Sequence, residues 1–115
     1  MMGELRQANL ERGMPTVDQA VKQLAFELRY SRGQGFSALK LIHGYGSSGT
    51  GGSIRRRVRQ ELQRLKDRGE VADFIPGEEF TIFNPAVLRA FQRCASLRRD
   101  RDLERHNNGI TVVLL

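Results

Sequence analysis

Residues 41–53 read Leu41-Ile42-His43-Gly44-Tyr45-Gly46-Ser47-Ser48-Gly49-Thr50-Gly51-Gly52-Ser53. An apolar strand ending in His43 opens into a stretch with five glycines and then meets an arginine-studded helix. Glycines 44, 46, 49, 51 and 52 lack a Cβ, so their backbone can take positive φ and bring N–H groups against a bulky anion. A helix beginning near Ser53 or Ile54 aims its free N–H groups and the positive end of its dipole at the same place. Arg55, Arg56, Arg57 and Arg59 add formal charge there. The expected guest is a phosphate.

On the N-terminal side, Thr16 can cap a helix, Gln19 completes a capping box and Asp18 suits the dipole. Val17, Ala20, Val21, Leu24 and Leu28 recur at helical spacing, and Gly33 and Gly35 stop the run. Before it, Glu4 to Glu11 reads as a first strand or an extended lead-in, although its alternation is poor. Ala38 to His43 is a short, mostly apolar strand covered by helices on at least one face. On the C-terminal side, Ile54, Val58, Leu62 and Leu65 give the basic helix one apolar face, and Gly69 ends it. Val71 to Ile75 is a third strand, closed by Pro76-Gly77. Asn84-Pro85 starts another helix, with Val87, Leu88, Phe91, Cys94 and Ala95 as its apolar stripe. Arg98 to Arg105 is mixed in charge and is expected to fade into a solvated loop. The run from Ile110 to Leu115 is apolar on both faces and belongs inside the sheet.

This order predicts an α/β two-layer sandwich: a mixed four-stranded sheet, two main helices and an inserted helix. The 115 residues suit one domain, 1–115, with 76–108 as an insertion. Nineteen Lys and Arg stand against 13 Asp and Glu, a net charge of +6, and the pI is near 10.4. Polyanions are therefore the favoured partners, nucleic acid ahead of an anionic membrane. No run approaches the roughly 18 apolar residues of a spanning helix and no apolar leader begins the chain, so a cytoplasmic location is expected. Cys94 stands alone, which excludes an internal disulfide and a multi-cysteine zinc site; it reads as a buried structural thiol. No carboxylate cluster has metal-ligand spacing, and no metal or other cofactor is implied.

The sequence resembles the Smr domain. The likeness rests on Leu41-Ile42-His43-Gly44-Tyr45-Gly46, on Gly51-Gly52-Ser53-Ile54-Arg55 leading into a basic helix, and on the terminal Gly109-Ile110-Thr111-Val112-Val113-Leu114-Leu115. It covers about residues 14–75 and 109–115, with Thr16 and Ala20 matching the start of the first helix. The resemblance implies a fold similar to the C-terminal domain of translation initiation factor three, nucleic-acid binding, and, as in several family members, endonuclease activity on DNA or RNA. His43, Gly44 and Gly46 match the family's His-Gly-x-Gly motif; Gly52, Ile54 and Arg55 match its helix start. The Asp-Leu-His-Gly or Asp-Leu-Arg-Gly segment of nuclease members is replaced by Asn9-Leu10-Glu11-Arg12-Gly13. The glycine loop is about four residues longer than usual, and Pro76 to Asn108 carries an insert.

The candidate nucleic-acid contacts are therefore Gly44, Tyr45, Gly46, Gly49, Thr50, Gly51, Gly52, Ser53, Arg55, Arg56 and Arg59, with Tyr45 as the aromatic on which a base or sugar could stack. In the favoured function these groups grip the sugar–phosphate backbone without reading bases. The alternative is a metal-independent endonuclease in which His43 carries a proton, either as catalytic acid or base, and Glu11 or Asp18 would have to reach it. A third possibility is an interaction domain docking on ribosomes or another protein through the same basic face. His106 reads as a surface bystander. A dinucleotide fingerprint across Gly44, Gly46 and Gly49 is set aside because Thr50-Gly51-Gly52 intervene before the helix; a Walker loop is set aside because Thr50 stands where lysine is needed.

Overall fold

The computed structural model describes residues 4–44 and 51–115. In chain order the elements are β1 (Leu5–Asn9), α1 (Val17–Gly33), β2 (Ala38–Ile42), α2 (Gly51–Asp67), β3 (Asp73–Pro76), α3 (Pro85–Arg93) and β4 (Ile110–Leu114), with short 3₁₀ turns at Gly77–Glu79 and Ala95–Arg99. The strands form one mixed sheet in the order β1-β2-β4-β3. β1 runs parallel to β2, and β4 pairs antiparallel with both β2 and β3.

Local chemistry sets the boundaries. Thr16 accepts from the Gln19 N–H, and the Gln19 side chain accepts in return from the Thr16 N–H, so the predicted capping box opens α1. Gly35, at φ +82°, follows its C-cap. Gly69, at φ +75°, plays the same part after α2. Asn84 accepts from the Ala86 N–H, and Pro85 takes the first position of α3. α2 begins at Gly51, two residues before the expected Ser53.

The pleat divides the sheet's side chains between two cores. Leu39, Leu41 and Val113 pack with Ala20, Leu24 and Leu28 of α1 and Ile54, Val58 and Leu62 of α2. On the other face Ala38, Ile110, Val112 and Leu114 pack with Val87, Ala90 and Phe91 of α3, with Cys94 and with Leu97. The two-layer unit is as the pattern predicts, and the connection between β3 and β4 folds back to cover the face that unit leaves open. Full burial of each valine, leucine, isoleucine or phenylalanine among them contributes about 1.5–3 kcal/mol, so neither face is dispensable.

That connection corrects two expectations. The stretch from Arg98 to Arg105 is not solvated throughout: its arginines are exposed, but Asp102 is buried and Leu103 is partly so. The reason lies in β2, where Lys40 is 2% exposed and points into the second core. Its Nζ donates to Asp100 Oδ1 at 2.9 Å and Oδ2 at 3.2 Å and also pairs with Asp102. A buried ammonium needs counter-charge, and the two aspartates draw the segment onto the sheet. In α3, Leu88 is half-exposed and Ala95 lies past the helix and is exposed, so the buried stripe is narrower than the sequence pattern suggests.

Candidate nucleic-acid interface

Where β2 ends, His43 lies on the α1/α2 face of the sheet and is completely buried. Its ring is held at both nitrogens: Nδ1 lies 2.8 Å from the Gly44 carbonyl oxygen and Nε2 lies 2.8 Å from Thr111 Oγ1. A neutral imidazole satisfies both, with Nδ1–H donating to Gly44 and Nε2 accepting from the Thr111 hydroxyl. Burial pushes the imidazole down to about 4; the Gly44 carbonyl acts the other way and is outweighed, while the positive charges of Arg59 and Arg55 reinforce the depression. His43 is therefore neutral at physiological pH.

Thr111 links the histidine to α2. Its hydroxyl oxygen accepts from Arg59 Nε at 3.1 Å. The rest of that guanidinium is also committed: Nη1 and Nη2 grip Glu78 at 2.8 and 2.9 Å, and Nη2 reaches the carbonyls of Asn108 and Ile110. Burial tends to raise the Glu78 carboxyl, but the Arg59 hydrogen bonds win and hold it below its ordinary value. Arg59 is thus the centre of a scaffold that ties α2, the Gly77–Glu79 turn and the start of β4 together. The remaining helix arginines differ. Arg55 and Arg56 form no ion pair among the described residues, Arg56 donating only to Ser53 Oγ at 3.3 Å. Arg57 is paired with Glu61. The first turn of α2 holds no acidic residue.

Gly44 sits at φ +76°, and its N–H, like that of His43, donates to the Gly109 carbonyl at 3.0 Å. A Cβ added there would collide with the Glu11 carboxylate. Glu11 arrives at this point because Asn9 Oδ1 accepts from the N–H groups of Glu11 and Arg12 at 2.8 and 3.0 Å, turning the chain sharply after β1. Of the two acids considered for the site, Glu11 reaches it. Tyr45, Gly46, Gly49 and Thr50 lie outside the described residues, while Gly51, Gly52 and Ser53 form the first turn of α2. His106 is exposed at φ +53°, with Nδ1 3.3 Å from the Glu78 carbonyl oxygen.

The structure thus brings His43, Gly44, Arg55 and Arg59 into one neighbourhood and adds Thr111, Glu78, Gly109 and Glu11. Thr111 left a signal: a hydroxyl in an otherwise apolar terminal strand. Glu78 left none beyond its place after Pro76-Gly77. Among the described residues no group of three His, Cys, Asp or Glu is arranged to hold a metal ion. A groove of about 550 Å³ lies along the free edge of β1; its Arg6 is paired with Glu27 at 2.5 Å.

Comparison with known proteins accords with this geometry. The structure is similar to the crystal structure of the Smr domain of Thermus thermophilus MutS2, with a TM-score of 0.58 and 27% identity over 96% of each chain. Comparison with curated proteins finds no match. The family model of the Smr domain matches residues 12–80, which takes in the capped first helix, the His-Gly turn, the basic helix and the Gly77–Glu79 turn that anchors Arg59. With more than half of its length matched, the chain belongs to the Smr domain family.

Proposed function

We propose that the protein is a nucleic-acid-binding module that holds the phosphate backbone at the N-terminus of α2. The observation that carries this is the asymmetry among the α2 arginines. Arg59 is consumed by Glu78, Thr111 and two carbonyls, whereas Arg55 and Arg56, one turn nearer the helix start, have no carboxylate partner among the described residues. A helix start with no acid in its first turn and two such guanidiniums favours a phosphate. The +6 net charge draws polyanions to it. Smr domains are generally associated with nucleic acid. No helix among the described residues is long and apolar enough to cross a membrane.

In this proposal His43 is a positioning residue. With both nitrogens engaged and the ring buried, it fixes the turn from β2 into the glycine stretch and hands no proton to a ligand. The deciding experiment titrates fluorescein-labelled single- and double-stranded DNA and RNA against the protein and follows the integrity of the same oligonucleotides. Binding of uncut nucleic acid, weakened at least tenfold in Arg55→Gln/Arg56→Gln and falling steeply between about 50 and 200 mM salt, is expected. Salt-insensitive binding, or an unchanged double variant, would overturn it.

Glu11 separates binding from endonuclease activity. Its carboxylate beside Gly44 opposes an incoming phosphate, so Glu11→Gln is expected to tighten binding a few-fold. If Glu11 were instead the acid or base of a nuclease, the same variant would abolish cleavage that the wild type performs.

A further inference from the structure

The β3–β4 connection carries a charge pattern that its composition conceals. Residues 77–109 hold six arginines (89, 93, 98, 99, 101 and 105) against five acids, nearly neutral on paper. Three of those acids are occupied by cations from outside the segment: Asp100 and Asp102 by Lys40 of β2, and Glu78 by Arg59 of α2. A fourth, Glu104, accepts from the Ile82 N–H at 2.6 Å. None of the six arginines forms an ion pair among the described residues, and all six are exposed. The scaffold therefore neutralises three of the five acids, and the six exposed arginines outnumber the exposed Glu79 and Glu104.

Apolar groups accompany that charge. Phe83 is 87% exposed, directly before α3, and Ile82 and Leu88 are half-exposed. Arg98 lies over the Phe91 ring, 4.9 Å from its centroid, which holds that guanidinium against α3. The surface is also joined to the α2 site. Arg59 grips Glu78, the Glu78 carbonyl meets His106, and Arg105 is the next residue along the chain.

We propose that the outer face of the β3–β4 connection is a second nucleic-acid-docking surface, continuous with the α2 site, that takes a single strand: its arginines track the backbone and Phe83 stacks an unpaired base. This rests on the phosphate-binding role of α2. Arginines interleaved with an exposed aromatic ring are what a flexible, unstacked strand can use, because every base offers a π-face. A duplex keeps its bases stacked and gains nothing from Phe83. The two surfaces together reach a longer strand than either alone.

The test compares fluorescein-labelled single strands of about 6 and about 24 nucleotides, chosen to occupy one surface or to span both, with a duplex of the longer sequence. Wild type is expected to bind the long strand more tightly than the short one. Arg89→Gln/Arg93→Gln/Arg105→Gln is expected to weaken the long strand more than tenfold, to lower its salt slope by about 2, and to leave the short strand unchanged. Phe83→Ala is expected to weaken the long single strand about tenfold and the duplex hardly at all. All substituted positions are exposed, and far-ultraviolet circular dichroism checks the fold. A long-strand affinity and salt slope unaltered by the triple variant, with wild type binding normally and Arg55→Gln/Arg56→Gln impaired, would overturn this surface while leaving the α2 site intact. Failure of wild type to bind any oligonucleotide would overturn both. Polyglutamate held as tightly as the long strand, and equally weakened by the triple variant, would overturn the nucleic-acid assignment.

Discussion

The two faces of the sheet are covered by different means. On the α1/α2 face the contact is apolar throughout its centre: Leu24, Leu28, Val58 and Leu62 meet Leu39, Leu41 and Val113. The opposite face has an apolar core too, but at its middle Lys40 is locked between Asp100 and Asp102. An apolar face tolerates any partner of the right volume, whereas a buried ammonium accepts only a segment that places carboxylates at one spot. The first layer is fixed by periodicity and the second by a specific ionic latch.

The largest expected effect comes from breaking that latch. Lys40→Met leaves Asp100 and Asp102 without their cation and should cost about 3–5 kcal/mol, measured by urea unfolding. Lys40→Met combined with Asp100→Asn and Asp102→Asn should recover much of the loss. If the single variant were as stable as wild type, the two faces would be held alike. Next is the boundary histidine on the apolar side. The unfolded chain protonates His43 near its ordinary value of 6.5, whereas the folded protein resists until about 4. Stability should therefore fall as pH drops through that window, by up to about 3 kcal/mol. His43→Asn should remove this component of the pH dependence, and a profile identical to wild type would refute the assignment.

Gly77 probes the seam between the regions. A Cβ there would strike the Asn107 carbonyl oxygen and lie 2.8 Å from Ile110 Cγ1. The backbone at Asn107 has little freedom to retreat, so Gly77→Ala should cost about 1–3 kcal/mol. Its effect should also reach the proposed phosphate-binding site, because the Arg59–Glu78 clasp begins at the next residue. Thr16→Ala, which removes one side of the capping box far from the latch, should cost about 1 kcal/mol and leave oligonucleotide binding unchanged.

The contrast explains what could be read from the chain. α1, α2 and β4 were legible because caps, helical spacing and an apolar terminal run are local signals. The candidate site was legible in its glycines and arginines, but the sorting of those arginines was not: Arg55, Arg56 and Arg59 are alike in sequence, and only the arrival of Glu78, 19 residues away, separates Arg59 from the others. The burial of Asp102 was missed for the same reason. A mixed-charge stretch looks solvated until Lys40, 60 residues earlier than Asp100, is seen to face it. Lys40 within an otherwise apolar strand was the available clue, since a cation in that position demands an anion from somewhere distant.

β3 and β4 are antiparallel neighbours, with Pro76 opposite Thr111, so the long excursion between them leaves and rejoins the sheet at almost one point. In terms of chain topology it is a hairpin whose bend has grown into a layer. Replacing residues 77–109 by a tight turn would preserve strand order yet strip the cover from Ala38, Val112 and Leu114. The shortened protein would then be driven to bury that bared surface against another copy of itself, trading its own lid for a neighbour.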